Sequence, residues 1–202
     1  MKQRGSKSDP NRWADHYTRK ARKEDYPARS VYKLQEIQEK TQLLRKGDRV
    51  LDLGCSPGSW LLYAAKVVGE GGRVAGVDLK PVTTALPPNA RAYIGDLTSL
   101  DDALSEVLGT GYNAVLSDMA PDTTGNRNVD AVRSAGLAET ALHIACRCLV
   151  RGGGFACKIF QGPDFEAFVN QVRAEFEKVR IFKPKSCRKA SKEIYVIGSG
   201  KK

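Results

Sequence analysis

Apolar and polar residues follow two periods along the chain, and these periods predict a series of strands and helices. Short apolar runs typical of buried strands occur in the segments RVLDLG, GRVAGVDL, ARAYIGDL, YNAVLSDM and GFACKIF. Segments with apolar residues at helical spacing lie between them, such as SWLLYAAKVVG, which we expect to end at Gly69. This alternation predicts an α/β fold with a mostly parallel sheet and helices on both faces.

The two ends of the chain have a different pattern. RSVYKLQEIQEKTQLL predicts a helix with Ser30 as its N-cap, within a helical extension over residues 11–48 that we expect to face the substrate. Residues 1–10 are polar and are predicted to be a disordered basic tail, leaving 11–202 as one domain. Near the other end, KVRIFKP and KEIYVIG have no helix between them, which predicts an antiparallel hairpin at the edge of a seven-stranded sheet.

The composition excludes several classes of protein. The chain has 202 residues, 41% of them hydrophobic and 28% charged, which is ordinary for a globular domain. No apolar run is long enough to cross a membrane and no signal-like segment follows Met1, so we expect a cytoplasmic protein without a membrane partner. Five cysteines without a CxxC pair and only two histidines argue against a zinc site or a Cys–His nucleophile, and we expect no metal.

Positive charge is concentrated at the two ends of the chain. Residues 1–49 carry 14 Lys and Arg against 7 Asp and Glu, a net +7; residues 173–202 carry 10 against 3, also a net +7. Residues 50–172 carry 9 against 13, a net −4. If the ends converge on one face, they form a surface suited to a polyanion. Charge alone leaves nucleic acid and an ordinary solvated face equally open.

Carboxylates end the first four predicted strands, at Asp52, Asp78, Asp96 and Asp118. The carboxyl ends of parallel strands meet at one edge of the sheet, where α/β proteins bind ligands. Asp78 is placed to accept hydrogen bonds from the hydroxyls of a ribose, and Asp96 from an exocyclic amine such as that of adenine. A single aspartate at a strand end is more often a turn residue or a helix cap, but four in succession indicate a site.

The first strand is followed by the glycine-containing turn DLGCSPGSW, where Gly54 and Gly58 allow the backbone to approach a ligand. The turn has neither the GxGxxG pattern of dinucleotide-binding proteins nor the Lys-Ser/Thr of a phosphate loop. These absences indicate a nucleoside cofactor that carries no phosphate.

Four blocks together resemble the FtsJ/RrmJ family of S-adenosylmethionine-dependent ribosomal RNA 2′-O-ribose methyltransferases. They are DLGCSPGSW, SDMAPDTTG, KIFQG and KPKSCRKASKEIYVIG, within a similarity that extends from Trp13 to Gly198. The resemblance implies a Rossmann-like class I methyltransferase fold, S-adenosylmethionine as cofactor with S-adenosylhomocysteine as product, and no metal. The implied cofactor-binding residues are Asp52, Gly54, Pro57, Gly58, Trp60, Asp78, Asp96 and Asp118. Cys55, Ser59, Asp122 and Cys187 depart from the family pattern, and we expect Ser59 to add bulk beside the cofactor.

The family's catalytic tetrad corresponds to Lys33, Asp118, Lys158 and Glu193. This gives a reason for Lys158, a charged residue within the apolar run GFACKIF. By hypothesis Lys158 is the general base for a ribose hydroxyl, Lys33 a neighbouring cation, Asp118 a group that aligns the reactants and Glu193 a group that orients the lysines. Burial and a second cation favour a neutral lysine, whereas two carboxylates favour a charged one, so a steering role for Lys158 stays open. The alternative without chemistry is a lysine paired with Glu193.

The resemblance also implies a substrate, since bacterial members of the family modify one uridine in the A loop of 23S ribosomal RNA, within the 50S subunit. We therefore expect ribosomal RNA as the partner, with no obligate protein partner evident. Trp13, Tyr17 and Tyr26 lie among basic residues, where they either stack on bases or pack the N-terminal helix. The alternatives are a 2′-O-methyltransferase for transfer RNA or an mRNA cap, a small-molecule methyltransferase, an RNA-binding module without activity, and a nicotinamide dehydrogenase.

Overall fold

The computed structural model describes residues 11–99, 102–188 and 190–202, so the predicted disordered tail over residues 1–10 lies outside the described residues. The helices are α1 (Asn11–Lys23), α2 (Val31–Thr41), α3 (Ser59–Val68), α4 (Asp102–Leu108), α5 (Arg127–Cys148) and α6 (Phe165–Glu175), with one 3-10 turn at Leu97–Ser99. The strands are β1 (Arg49–Leu53), β2 (Arg73–Asp78), β3 (Ala90–Ile94), β4 (Tyr112–Ser117), β5 (Leu149–Phe160), β6 (Phe176–Phe182) and β7 (Glu193–Lys201).

The seven strands form one sheet in the order β3-β2-β1-β4-β5-β7-β6. The first five strands pair in parallel, and β7 is antiparallel to both of its neighbours, β5 and β6. The predicted α/β fold, with a mostly parallel seven-stranded sheet and an antiparallel pair at one edge, is therefore confirmed. The chain runs outward from β1 to β3 and then returns to place β4 on the other side of β1. Such a reversal of strand order opens a crevice at the carboxyl ends of the strands.

Helices cover both faces of the sheet because the strands bury apolar side chains on both sides. One core contains residues of α5 and α6, including Leu142 and Phe168, packed on Leu51, Val115 and Phe155. The other core contains residues of α2 and α3, including Leu34 and Leu61, packed on Val50 and Leu116. Val50 and Leu51 are neighbours in β1 but belong to different cores, because successive side chains of a strand point to opposite faces of the sheet.

The two basic ends of the chain lie beside each other. The carboxylate of Glu36 in α2 accepts hydrogen bonds from the backbone N–H groups of Lys185 and Ser186, at 2.7 and 2.8 Å. Arg29, just before α2, donates to the carbonyl oxygen of Ser186 at 2.6 Å. The segment between β6 and β7 is thereby held against the N-terminal helices, and this contact brings the basic segments together on one side of the domain.

Some element boundaries differ from the sequence-based expectations. Strand β5 begins at Leu149, five residues before the apolar run that predicted it. Phe165, Phe168, Val169, Val172 and Phe176 have the apolar spacing of one helix in the sequence, but Phe176 begins β6. Ser30 does occupy the N-cap of α2, but its side chain makes no capping hydrogen bond. Its carbonyl oxygen instead accepts from the indole Nε1 of Trp60 at 2.8 Å, which ties α2 to α3.

Three general features concern cysteine, metal and membrane chemistry. The five cysteines are free thiols, and burial raises the pKa of Cys157 to about 12, which makes it a poor nucleophile. Within the described residues, no group of three or more His, Cys, Asp and Glu side chains is arranged to hold a metal ion. None of the helices in the described part of the chain is both long and apolar enough to span a membrane.

Candidate active site

The carboxyl edge of the sheet carries an open cleft of about 440 Å³ at the crossover between β1 and β4. Three of the four predicted aspartates line it: Asp78 at the end of β2, Asp96 after β3 and Asp118 after β4. Lys80 is the single basic residue among the described residues of the lining. The wall of the cleft is therefore net negative, which suits a cationic ligand.

Asp78 is held in a fixed orientation by two backbone groups. Its Oδ2 accepts from the N–H of Ser56 at 2.9 Å, and its Oδ1 accepts from the N–H of Lys80 at 2.8 Å. A carboxylate oxygen has two lone pairs, so each oxygen can accept one more hydrogen bond. Asp78 thus offers two oriented acceptors to a ligand that carries two adjacent hydroxyls, as a ribose does.

The turn after β1 needs glycine at Gly54 for conformation and for space. Gly54 has φ +77°, and a Cβ added there would lie 2.6 Å from Cγ of Met119. Met119 also lines the cleft, as do Gly54 and Pro57. The turn therefore packs directly on the segment that follows β4 and forms one wall of the cleft.

Asp52 does not end its strand but lies inside β1, paired in register with Gly76 and so two residues deeper than Asp78. The side chain is fully buried, and neither carboxylate oxygen has a hydrogen-bond partner among the described residues. Burial raises the pKa of Asp52 well above its usual range, and the negative charges of Asp118 and Asp78 raise it further. An uncompensated buried carboxyl of this kind destabilises a fold, which suggests that it is kept for function.

Three residues of the glycine turn lie outside the cleft lining. Gly58 has φ +110° and caps the N-terminus of α3, where it meets Val82 and Thr84. The Trp60 ring is buried against Tyr195, with 5.9 Å between the ring centres. Ser59 was expected to add bulk beside the cofactor. It is buried instead, and its Oγ accepts from the N–H of Ala28 at 2.8 Å, so it links α3 to the segment before α2.

The four residues of the predicted tetrad meet at the inner end of this cleft. Lys158 Nζ lies 3.1 Å from Oδ1 of Asp118, and Lys33 Nζ lies 3.9 Å from the same oxygen. Lys33 Nζ also donates to Oε2 of Glu193 at 2.6 Å. Asp118 therefore joins both lysines, and Glu193 holds one of them.

The topology of the sheet explains how residues from distant parts of the chain meet here. Lys158 is near the carboxyl end of β5, and Asp118 follows the carboxyl end of the neighbouring strand β4. Strand β7 runs in the opposite direction, so its first residue, Glu193, lies at the same edge and pairs with Phe160. Helix α2 packs over this corner and supplies Lys33.

Burial and opposite charges act against each other in the cluster. Burial alone would raise the pKa of Asp118, but Lys158 and Lys33 lower it by more, so the pKa of Asp118 is below its usual value and the group is ionised. For Lys33, burial lowers the pKa, but Asp118 and Glu193 raise it by more, and the net shift is upward. Lys33 is therefore a permanent cation at neutral pH. Lys158 is only 6% exposed and also donates to the backbone oxygen of Asp118.

Sequence reasoning missed Tyr195, which belongs to the same cluster. Its hydroxyl donates to Oδ1 of Asp118 at 2.6 Å, and its backbone pairs in register with Lys158. Burial raises the pKa of Tyr195 well above its usual range, with Asp118 and Glu193 adding to the shift, so the hydroxyl stays a donor. The signal was present in the sequence, because Glu193 and Tyr195 are two residues apart in a strand and thus share a face.

The aromatic residues of the N-terminal extension are engaged in packing. The Tyr17 ring lies 5.3 Å from the Tyr32 ring and 5.3 Å from the Arg29 guanidinium, measured between centres. Tyr26 packs against the small buried cluster around Val31. The side chain of Trp13 lies outside the described residues. For Tyr17 and Tyr26 the packing interpretation is thus supported by direct contacts.

Solved structures with the same fold define the class to which this site belongs. Fibrillarin from Aeropyrum pernix, solved with natively bound S-adenosyl-L-methionine, has a TM-score of 0.58 at 18% identity, covering 77% of this chain and 68% of its own. This likeness concerns the fold alone. A protein from Plasmodium falciparum named a ribosomal RNA methyltransferase has a TM-score of 0.77 at 27% identity, covering 87% of this chain and 98% of its own. The fold is the Rossmann-like fold of S-adenosylmethionine-dependent methyltransferases.

The sequence comparisons identify the family. The model of the FtsJ-like methyltransferase family matches residues 26–201, so the chain belongs to this family and the resemblance found in the sequence is confirmed. A protein of Desulforapulum autotrophicum named ribosomal RNA large subunit methyltransferase E is 59% identical over 203 residues, 100% of each chain. A protein of the same name from Desulfosudis oleivorans is 57% identical, covering 93% of this chain and 91% of its own.

The cleft itself fits S-adenosylmethionine on physical grounds. A volume of about 440 Å³ lies within the roughly 300–1,000 Å³ of small-molecule sites. The carboxylates of Asp78, Asp96 and Asp118 line it, and the ligand's sulfonium and ammonium groups are both positive. Asp78 keeps free acceptor positions for ribose hydroxyls, and no phosphate-binding loop is present in the described turn at residues 52–60. The residues present therefore suit this cofactor.

Proposed function

We propose that the chain transfers the methyl group of S-adenosylmethionine to the ribose 2′-hydroxyl of a uridine in the A loop of 23S ribosomal RNA. The observation that carries the proposal is the position of Asp118, which lines the cofactor cleft and contacts both Lys158 and Lys33. The names of the full-length relatives support the large ribosomal subunit as substrate. Choosing a 2′-hydroxyl selects RNA over DNA, which lacks that group.

In this proposal the walls of the cleft hold the cofactor. Asp78 binds the ribose hydroxyls and Asp96 the adenine amine, while Gly54 and Pro57 form the wall on the side of β1. Asp52 lies beneath the cleft as a buried carboxyl whose raised pKa favours the protonated form, so it can donate a hydrogen bond toward the ligand. Gly58 and Trp60 contribute indirectly. Gly58 shapes the turn that begins α3, and Trp60 fixes α3 against α2 through its hydrogen bond to Ser30. When bound, S-adenosylmethionine supplies a methyl group attached to a positively charged sulfur.

Lys158 is proposed as the group that removes the proton of the ribose hydroxyl. The ribose oxygen forms a bond to the methyl carbon while the methyl–sulfur bond breaks, and the hydroxyl proton passes to the lone pair of Lys158 Nζ, which acts in its neutral amine form and then returns the proton to solvent. Since the donor is cationic and the oxygen develops negative charge, charge cancels during the transfer. Alignment of the reacting atoms can then supply most of the rate enhancement.

The other members of the cluster keep Lys158 in place. Asp118 and its backbone oxygen both accept from Lys158 Nζ, which fixes the amine beside the cleft. The Tyr195 hydroxyl occupies one acceptor position on the same carboxylate oxygen. Lys33, held by Glu193, remains charged and is placed to bind the ribose or phosphate of the target nucleotide. The target has to be unpaired or extruded to reach this depth.

The function is tested by incubating the protein with methyl-labelled S-adenosylmethionine and 50S subunits from bacteria that lack A-loop ribose methylation. Label should enter the 23S RNA, and mapping should place it on the ribose of one uridine in the A loop. Label on a base, on another nucleotide or on no RNA at all would contradict the proposal. Parallel incubations with transfer RNA and capped mRNA test the two RNA alternatives directly.

A further inference from the structure

The amino edge of the sheet, opposite the cofactor cleft, presents a row of arginines. Arg49 is the first residue of β1, Arg73 the first of β2 and Arg91 the second of β3. Arg49 pairs in register with Arg73, and Arg91 pairs with Ala75, two residues beyond Arg73. Side chains that are in register or two residues apart share one face of a sheet, so the three arginines lie on the same face.

These arginines line a groove of about 370 Å³ together with Tyr93 and Tyr112. All three side chains are exposed. None of the described residues that line the groove is acidic. The groove therefore concentrates positive charge, and two of its three arginines, Arg73 and Arg91, come from residues 50–172, the segment whose net charge is −4.

The arrangement is held by backbone groups rather than by carboxylates. Arg49 donates to the carbonyl oxygen of Thr110 at 3.1 Å, and its guanidinium lies 5.0 Å from the centre of the Tyr112 ring. Arg73 donates to the carbonyl oxygens of Glu70 and Gly72, both at 2.7 Å. The side chain of Arg91 makes no hydrogen bond or ion pair with any residue in the described part of the chain, and only its backbone pairs with β2. Like charges directly opposite each other destabilise a sheet, so this uncompensated pairing of Arg49 with Arg73 points to a ligand.

Guanidinium groups that keep donors free match the oxygens of phosphate, which they bind in a bidentate manner. We propose that this groove binds backbone phosphates of a second segment of the ribosomal RNA, away from the nucleotide that is methylated. The inference rests on the proposed function, since it assumes that the substrate is a large folded RNA. Strand β1 has five residues, so the groove and the catalytic cluster are separated by a length of strand of about 17 Å, a distance that a folded RNA readily spans.

The proposed contact has a distinct kinetic signature. It lies on the opposite edge from the reacting atoms, so it contributes to the affinity for the subunit and not to the rate of methyl transfer in the bound state. Each phosphate that is neutralised releases counterions, and losing one such contact lowers the slope of log affinity against log salt by about 1. If the groove instead bound an acidic surface of a ribosomal protein, the affinity for the subunit would depend less steeply on salt concentration, because no condensed counterions would be released.

The test compares Arg91→Glu, and the double variant Arg73→Glu/Arg91→Glu, with the matched control Arg173→Glu on α6. Arg173 is exposed and lines neither the groove nor the cleft. Binding of each variant to undermethylated 50S subunits is measured over a range of KCl concentrations, together with the single-turnover methylation rate at saturating subunit. Thermal unfolding of each variant confirms that it folds.

We expect Arg91→Glu to raise Kd about tenfold and to lower the salt slope by about 1, with a larger effect of the double variant on both quantities. The saturated single-turnover rate and the control should match the wild type. If the double variant binds with unchanged Kd and salt slope, the inference about the groove is overturned. The proposed function is unaffected by that result as long as the wild-type protein methylates the subunits. A raised Kd with an unchanged salt slope would also overturn it. Wild-type protein that neither binds nor methylates subunits would instead refute the proposed function.

Discussion

The two edges of the parallel sheet carry opposite charges. At the carboxyl edge, Asp78, Asp96 and Asp118 end or follow β2, β3 and β4 and line the cleft. At the amino edge, β1, β2, β3 and β5 begin with or near Arg49, Arg73, Arg91 and Arg151. A parallel sheet gathers all strand starts on one edge and all strand ends on the other, so residues distant in sequence become two separate surfaces. Acidic and basic side chains are therefore unevenly distributed in the middle of the chain, although its net charge is negative. Its charges are sorted by edge, one suited to a cation and the other to a polyanion.

The edges also differ in how their charges are balanced. At the carboxyl edge, the charges of the tetrad cluster are compensated, because Asp118 is paired with Lys158 and Lys33, and Lys33 is paired with Glu193. At the amino edge, Arg49 and Arg73 bond only to carbonyl oxygens among their described hydrogen bonds. A compensated cluster fixes geometry for chemistry, whereas an uncompensated one attracts an external counter-charge.

Among substitutions of the aspartates at the carboxyl edge, Asp118→Asn is expected to have the largest effect on the rate of methyl transfer. An amide lacks the negative charge that holds both lysine side chains, so Lys158 and Lys33 lose their common partner and the site loses its alignment. We expect methyl transfer to fall by about 100-fold or more. The single-turnover rate is the measurement, with Asp122→Asn as an exposed control four residues along the chain. A rate for Asp118→Asn within a few-fold of wild type would contradict the proposal that Asp118 aligns the lysines for methyl transfer.

A smaller effect is expected from Asp78→Asn. The change removes the charged acceptor that we propose for the ribose hydroxyls, and hydrogen bonds to charged groups contribute about 1.5–3 kcal/mol. We therefore expect the Kd for S-adenosylmethionine, measured by calorimetry, to rise by about 10- to 100-fold. Asp164→Asn, at the start of α6, is the matched control because the Asp164 side chain makes no capping hydrogen bond. Equal affinity of the Asp78 variant and the control would place the ribose elsewhere.

The smallest effect concerns stability and comes from Asp52→Asn. The pKa of Asp52 is raised in the folded state by burial and by Asp118 and Asp78, so the folded protein holds a proton that the unfolded chain releases. Wild-type stability should consequently decrease as pH rises from the ordinary carboxyl pKa through the raised one. The variant lacks this contribution, and its advantage in Tm over wild type should grow as the pH rises above the ordinary carboxyl pKa. A Tm difference that does not change with pH would contradict the assignment.

The sequence predicted most of the fold because each strand and helix had its own local pattern. The helix SWLLYAAKVVG ends at Gly69 as predicted, and KVRIFKP and KEIYVIG pair antiparallel. Errors occurred where a local pattern was ambiguous. Phe176 has the right spacing for α6 but begins β6, and Leu149 continues the face of α5 but begins β5. In both cases pairing with a neighbouring strand, which is not visible in a local pattern, decides the boundary.

The candidate site was predicted less completely. The positions of Asp78, Asp96 and Asp118 followed from strand ends, and the meeting of Lys33, Lys158 and Glu193 from the family resemblance. The depth of Asp52 depends on the register of β1 with β2, and the distance of Trp60 from the cleft depends on its bond to Ser30. Tyr195 shares a strand face with Glu193, which the local pattern indicates, but its contact with Asp118 and the arginine groove depend on strand pairing.

The central claim is that Lys158 acts at the carboxyl edge as a base, and a pair of substitutions tests it most directly. Arginine keeps the charge and can steer a hydroxyl but does not give up its proton, whereas methionine removes charge and donor together. The single-turnover methylation rate of 23S RNA, at saturating S-adenosylmethionine and 50S subunit, should fall by about 10²- to 10⁴-fold in both Lys158→Arg and Lys158→Met. Cofactor affinity should stay close to that of wild type. Near wild-type turnover in Lys158→Arg would show that Lys158 only steers, and near wild-type turnover in Lys158→Met would show that it has no part in the reaction.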